Sequence, residues 1–475
     1  AGGGAVPSSA GRRSLFGQAL YDTFGQAGAR AGAAWIGVLV VLGVFAPFLA
    51  SSHPLLYRLK GGGLSSPLLR HLGPLDVALV VLFFHAAVVL ARRPGAGRAV
   101  GLIAWPAAVA AWAVAAWAVV PGAVRLAWYR PVWATESAGG WLWVVAINVV
   151  AAAALLGAGW LLGRGTVALY RSAAAGGRRR LFASAVGAAG LCVVAAFAVS
   201  PPPNPIYESY RQAEQRGEVD LVVRTLVPYS PNDRLRDRPI EEALTPPGRT
   251  YWLGTTQYRE DMLSRLVHAC RVALSIGLIA TGIGTTIGVT VGGAMGYFAG
   301  RLDLLGMRVL EIVEAIPTLI LLLIVTVSFG RSLYLMMVVI GLLTWTSDAR
   351  FVRAEFFRLR NQDFVAAATA AGLARRTIIF RHMLPNGIAP VLVNASFGIA
   401  GAILLESTLS FLGLGLGPDD PSWGQLLEQA RSGGTGFSWW VATFPGLAIF
   451  LTVFAYVLIG EAVRDAIDPK LKKAA

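Results

Sequence analysis

The chain has 475 residues, of which 55% are apolar and only 14% charged, with a mean hydropathy of +0.60. That composition excludes a disordered chain and argues against a soluble multidomain enzyme, since ordinary soluble domains carry roughly a quarter charged residues. The net charge of +15 has no base-stacking aromatics interleaved with it, so it points to cytoplasmic loops of a membrane protein rather than to nucleic acid.

No N-terminal signal peptide is read, because Arg12-Arg13 is not followed by a short apolar core and a cleavage-type region. A bilayer span needs about 20 mainly apolar residues. Such runs fall near 35–50, 75–91, 100–120, 141–163 and 181–200, and again near 269–299, 309–329, 333–349, 387–412 and 439–460. The fold class is therefore all-α, a polytopic membrane helical bundle of about ten transmembrane helices. Basic loops set its orientation. Arg92, Arg93 and Arg98 lie in one loop, Arg164, Arg171 and Arg178 to Arg180 in a second, and Arg350, Arg353, Arg358, Arg360, Arg375, Arg376 and Arg381 in a third. With alternating spans all three share one side, which the positive-inside rule makes cytoplasmic, and both termini fall there too. Trp128, Trp133, Trp141 and Trp143, in the opposite loop, read as an interfacial aromatic belt.

Residues 201–266 open on a proline cluster and mix both charge signs, so they read as one long extracytoplasmic loop with a few short elements. The divisions expected are 1–60, the N-terminus and first span; 61–200, about four extra spans; 201–266, the loop; and 267–475, a five-span core carrying a cytoplasmic segment at 351–386. No chemistry of the chain's own is expected. None of the four lysines stands in a phosphate-binding loop, and there is neither a His-Glu-x-x-His nor a Cys-x-x-Cys pattern. The histidines His53, His71, His85, His268 and His382 are too scattered for a metal site, and Cys192 and Cys270 make no disulfide framework. Catalytic, cofactor-binding and metal residues are accordingly none.

The segment 351–386 is too charged to span and too patterned for a loop. Phe356, Leu359 and Phe364-Val365 recur at helical spacing. Ala366, Ala367, Ala368, Ala370 and Ala371 form a small-residue surface that admits close approach. Gly372 supplies a left-handed backbone position to end that helix. A second helix is predicted over 377–384, closed by Pro385. Two short helices on the basic side, with Ala367 and Ala368 outward, make a docking element. Alanines bury too little area for a helix that merely rests on lipid.

Ala366-Ala367-Ala368, Gly372 and Leu384-Pro385 resemble the coupling-loop signature of ABC-importer permeases, with Ala366 in place of a glutamate. Asp363-Phe364-Val365, Arg381 to Asn386, Ile403 to Ser407, Leu409 to Gly415, Pro421 to Gly424 and Phe444 to Ile449 resemble the dipeptide/oligopeptide/nickel permease family, second-subunit branch. The likeness covers about 250–469. Upstream, Leu253-Gly254-Thr255 and Asp261 to Arg265 resemble that family too, but Thr256, Arg259 and Glu260 stand where it has Asp, Gly and Arg. The resemblance implies a permease subunit of an ATP-driven importer of peptides or peptide-like solutes, nickel chelates included, in the inner membrane of a prokaryote. It also implies a homologous permease partner, two ATP-binding subunits that hold the ATP and magnesium, and an extracytoplasmic substrate-binding protein. This chain would hold no cofactor and hydrolyse nothing. An even-numbered insertion between the first span and the loop leaves the orientation of the core unchanged, and a packing or subunit-contact role is expected for it.

Gly282, Gly284, Gly288, Gly292, Gly293 and Gly296 would let one span pack closely or bend. Glu406 is the one convincing intramembrane carboxylate; it would line the pathway, pair with Arg271 or stabilise the subunit interface. Glu311 and Glu314 lie near a span's cytoplasmic end. The alternatives are a stand-alone secondary transporter or channel, which needs ionisable relays and internal repeats, and a sensor, which needs a cytoplasmic signalling domain.

Overall fold

The computed structural model describes residues 22–63, 65–91, 207–239, 242–432 and 438–467. The third, fourth and fifth predicted spans, the tryptophan cluster and two of the three arginine-rich loops lie outside the described residues. Among those described, five helices are long and apolar enough to cross a membrane, or six if one bent pair is a single span.

The first is α1 (Ala27–Val44), which ends earlier than its apolar run because Pro47 follows. Proline has no N–H to continue the ladder and disfavours helix in the residue before it. The chain breaks at Phe45 and restarts as a single turn, α2 (Ala46–Leu49). Strand β1 (Leu56–Leu59), the short α3 (Pro67–His71) and α4 (Pro74–Ala91) follow, α4 standing where the second span is predicted.

Beyond the undescribed stretch come α5 (Glu208–Gln215) and β2 (Val219–Val223). Strand β2 pairs antiparallel with β1, Leu56 opposite Val223, with a register shift between Arg58 and Leu59. Among the described residues, a small two-stranded sheet thus sits beside the helices.

Helix α6 (Met262–Phe298) begins at Asp261, whose carboxylate accepts from the Ser264 backbone N–H at 2.7 Å. That cap satisfies a donor that the first helical turn would leave unpaired. At 37 residues α6 is roughly 55 Å long, so it extends well beyond a hydrocarbon layer of about 30 Å. The span predicted over 309–329 is not one helix. It is α7 (Gly300–Ala315) and α8 (Thr318–Phe329), bent by 71° across Ile316 and Pro317. The proline again ends the first helix and starts the second. Helix α9 (Leu333–Leu359) runs past its predicted end at 349 and absorbs the start of the charged segment. Helices α13 (Ala389–Phe411), α14 (Trp423–Ser432) and α15 (Trp439–Ile467) complete the core.

Ile276 and Ala280 of α6, Leu322 of α8, Met337 and Ile340 of α9 and Ala402 of α13 form one apolar core. A second joins Leu39 of α1, Ala273 of α6, Trp423 of α14 and Ile449 of α15. Helix α1 lies close on α15: a Cβ on Gly32 would stand 2.7 Å from the Ala455 carbonyl oxygen, and Trp35 Nε1 donates to Thr452 Oγ1 at 3.2 Å.

Of the six α6 glycines singled out, all but Gly282 are packing residues, and α6 is unbroken through them. Gly284, Gly288, Gly292 and Gly296 recur every fourth residue on the face against α9. At Gly296 a Cβ would stand 2.6 Å from the Arg353 carbonyl oxygen. At Gly288 it would stand 2.8 Å from that of Trp345. Gly282 has nothing within 4 Å and takes no part in the seam.

Candidate functional site

Helix α9 carries the charged segment out of the bundle. A short turn leads to α10 (Asp363–Ala370), then α11 (Arg375–Thr377), a π-helical turn (Ile378–Met383) and α12 (Leu384–Gly387). The end of α10 follows a defined pattern. Gly372 has φ +71, its N–H donates to the Thr369 carbonyl at 3.0 Å, and the Leu373 N–H donates to the Ala368 carbonyl at 3.2 Å. These are the two bonds of a Schellman motif, which needs a left-handed residue at that position. A Cβ on Gly372 would meet nothing within 4 Å, so the requirement for glycine is one of backbone conformation alone.

Two expectations for this segment are corrected. The second helix does not close at Pro385. It widens into the π turn and continues, with Pro385 in the first turn of α12. Proline offers no N–H to the carbonyl four residues back and crowds it, and the widened turn immediately before it relieves both. Nor does Ala368 face outward with Ala367. Ala368 is buried with Val352, Phe356, Leu359, Val365, Ile378, Met383 and Val391. Ala366, Ala367 and Ala370 are the exposed alanines of α10. Also exposed on the hairpin are Leu373 and Phe380, at 40% and 61%, and Arg375, Arg376 and Arg381. The hairpin thus has its own small core, packed on α9 and α13, and exposes small, apolar and cationic side chains. Of the other predicted residues, Leu384 is half-buried against that core and Pro385 is exposed.

At the opposite end of the bundle the predicted motif residues interlock. Gly254, φ +81, lies under Trp440: a Cβ would stand 2.5 Å from the Thr245 carbonyl oxygen and 2.8 Å from Trp440 Nε1. Arg265, 1% exposed, pairs with Glu260 at 2.7 Å and donates to Gln425 Oε1 at 2.7 Å and to the Pro231 carbonyl at 3.2 Å. Burial pushes the Glu260 carboxyl up, and the guanidinium of Arg265 pulls it back. The residues that depart from the family pattern are therefore used: Glu260 holds Arg265, and Thr256 Oγ1 donates to Glu260 at 3.4 Å. Arg259, where the resemblance implies a glycine, takes φ +60.

Glu406 on α13 is 2% exposed and does not meet Arg271. Its carboxylate accepts from Ser410 Oγ at 2.7 Å and Ser407 Oγ at 3.4 Å. It sits inside this chain, on the helix face that α14 covers. There a Cβ on Gly424 would stand 2.7 Å from Ser407 Cα and 2.8 Å from Ser410 Cβ. Arg271 instead pairs with Asp76 of α4 and donates to the carbonyls of Gly43 and Val44. Glu311 and Glu314 are exposed and pair with Arg308 and Arg350. Sequence reasoning missed a second carboxylate, Asp348 of α9, 5% exposed. The signal was present, a lone acid near the end of the apolar run 333–349. His53 and His71, far apart in sequence, stack at 3.8 Å. Among the described residues no group of three or more His, Cys, Asp or Glu has metal-holding geometry.

Residues 284–473 match the model of the family described as binding-protein-dependent transport system inner membrane component. The chain is 37% identical over 256 residues to the di/tripeptide transport system permease protein DppC of Pseudomonas aeruginosa (strain UCBPP-PA14). That match covers 53% of this chain and 83% of the relative. It is 32% identical over 290 residues to the dipeptide transport system permease protein DppC of Alkalihalophilus pseudofirmus, covering 58% of this chain and 95% of that one. It is 38% identical over 220 residues to the oligopeptide transport system permease protein OppC of Haemophilus influenzae, covering 46% and 70%.

Proposed function

This chain belongs to the permease family of binding-protein-dependent transport systems, and we propose that in such a system it forms one half of the translocation pathway for peptides. It is a multi-span permease subunit of a peptide ABC importer in the inner membrane. The observation that carries the rest is the hairpin. It is a helical hairpin with its own core, packed on the end of a helix whose backbone lies against α6 along the glycine seam.

In this reading the hairpin lies in the cytoplasm, as its arginines require, and both termini lie on that side. Each of two ATP-binding subunits seats a coupling hairpin, one from this chain and one from a homologous permease. The Ala366, Ala367 and Ala370 face lets the partner come close, Phe380 and Leu373 bury apolar area, and the arginines meet acidic groups. ATP binding draws the ATPases together and carries the hairpins with them. A hairpin hung on a flexible loop would absorb that movement, whereas one packed on Val352, Phe356 and Leu359 of α9 delivers it to the transmembrane core. An external binding protein delivers the peptide at the opposite end, where the residues around Gly254 and Arg265 are locked by buried bonds. Hydrolysis belongs to the ATP-binding subunits, which hold ATP and magnesium. A packing or subunit-contact role is proposed for the 61–200 region.

The test is co-purification with the neighbouring ATP-binding subunits and homologous permease, followed by ATP hydrolysis in vesicles with and without peptide-loaded binding protein. Peptide-dependent stimulation supports the reading. A chain that transports peptide without any ATPase overturns it.

A further inference from the structure

Three helices that pack mainly through apolar contacts and glycines meet at one carboxylate. Asp348 of α9 is 5% exposed. Thr285 Oγ1 of α6 donates to its Oδ2 at 2.7 Å, and Asn394 Nδ2 of α13 donates to its Oδ1. Both partners are neutral and come from different helices. Gly288, one turn along α6 from Thr285, brings the two backbones together at the same level.

The position of this cluster sets its meaning. One turn beyond Asp348 on α9 stands Val352, and three residues before Asn394 on α13 stands Val391; both belong to the core of the hairpin. Val289, one turn beyond Thr285 on α6, packs against that core too. The carboxylate therefore marks the boundary where the hairpin unit ends and the transmembrane packing begins. Apolar contacts along a glycine seam are non-directional and permit sliding. Bonds to a carboxylate are directional, stronger than neutral pairs, and strengthened again where water is excluded. An acid is expensive to keep at such a depth and marks a function more often than a packing accident.

We propose that Asp348 is a positioning residue for energy coupling: it fixes the register of the hairpin-bearing α9 against α6 and α13, so that a displacement of the hairpin moves all three helices together. This rests on the permease reading and adds to it the residue through which the stroke passes. Without the acid, α9 retains its apolar packing but slips against its neighbours, and hydrolysis proceeds with less transport.

The test uses the complete transporter in vesicles and reads ATP hydrolysed per peptide imported, with membrane abundance and ATPase co-purification measured beside it. Asp348→Ala is expected to raise that ratio by about tenfold, within the range of ordinary coupling energies. Asp348→Asn retains one acceptor and raises it less. The exchange Asp348→Asn with Asn394→Asp rebuilds a carboxylate–amide pair across the same two helices and should return the ratio to within about twofold of the parent. An unchanged ratio in Asp348→Ala, with uptake and hydrolysis falling only as abundance falls, overturns the proposal. So does an exchange variant no better coupled than Asp348→Asn alone. Should Asp348→Ala fail to insert, the asparagine and exchange variants decide the matter by the same ratio. A parent transporter whose hydrolysis ignores peptide would instead sink the permease reading, and the inference with it.

Discussion

Gly292 of α6 lies against Ala349 of α9 so closely that a Cβ on the glycine would stand 2.8 Å from the Ala349 Cα. Side chains never pack at that distance, so the two backbones themselves are in contact. Within a bilayer, helix association relies on such packing because lipid offers apolar surface equally well. Gly292→Ala should therefore force the helices apart and destabilise the core by about 1–3 kcal/mol. Gly282→Ala is the control, since nothing lies within 4 Å of that Cβ; it should be neutral or stabilise by up to about 1 kcal/mol through helix propensity. Thermal unfolding of both variants in detergent checks the contrast, and equal midpoints would show that the seam is not a packing contact.

Asp76 and Arg271 tie the inserted region to the core. Their side chains are 14% and 15% exposed. Removing the acid leaves a largely buried guanidinium with only the Gly43 and Val44 carbonyls. Asp76→Ala should cost about 3 kcal/mol, whereas Asp76→Ala with Arg271→Met should recover most of it. The consequence for deletion of 61–200 is direct: it removes Asp76, so ATPase binding should survive the deletion better when Arg271 is replaced as well. A deletion equally tolerated with either residue at 271 would show the pair to be dispensable.

His53 makes the loop end of the protein acid-sensitive. It is buried beside the stacked His71, at a cavity of about 320 Å³ that His268 and the Asp76–Arg271 pair also line. Burial first, and the neighbouring His71 second, lower its pKa to about 4, against a smaller opposing pull from Asp233. In the folded protein it stays neutral where the unfolded chain, near 6.5, takes up a proton. Its contribution is therefore intact above pH 6.5 and is lost as pH falls toward 4, by roughly 2–3 kcal/mol. Stability measured from pH 7 to 4 should decline, and His53→Gln should flatten that decline; parallel curves for the two proteins would exclude His53 as the cause.

Much of this was readable from residue order. Apolar runs located the described spans because lipid demands continuous apolar length, and Gly372 announced its turn because few other residues accept that backbone. What escaped depended on partners distant in sequence. Nothing in residues 56–59 indicates pairing with 219–223, and the break at Pro317 was hidden by apolar residues on both sides. The direction in which Ala368 points follows from Ile378 and Met383, which lie on the far side of the turn. The role of Asp348 was hidden in a related way: the acid stands in view within its apolar run, but its partners lie 63 and 46 residues away.

The hairpin allows the sharpest separation of docking from folding, because adjacent alanines face opposite ways. Ala367 is exposed and Ala368 is 7% exposed within the hairpin's core. Ala367→Glu should leave insertion and thermal stability unchanged, since its side chain enters solvent, while weakening ATPase co-purification and uptake by placing bulk and charge on the outer face. Ala368→Glu should destabilise the hairpin itself by about 2 kcal/mol or more, as a carboxylate would be buried without a partner. Gly372→Val lies between these. Its Cβ meets nothing, so the whole effect is backbone strain of about 1–3 kcal/mol at a β-branched residue forced to positive φ. Gly372→Asn, which tolerates that conformation, should be milder. Membrane abundance, ATPase co-purification and uptake measured for the four variants together distinguish the roles. Near-normal uptake in both Ala367→Glu and Gly372→Val would mean that the ATPases engage some other surface.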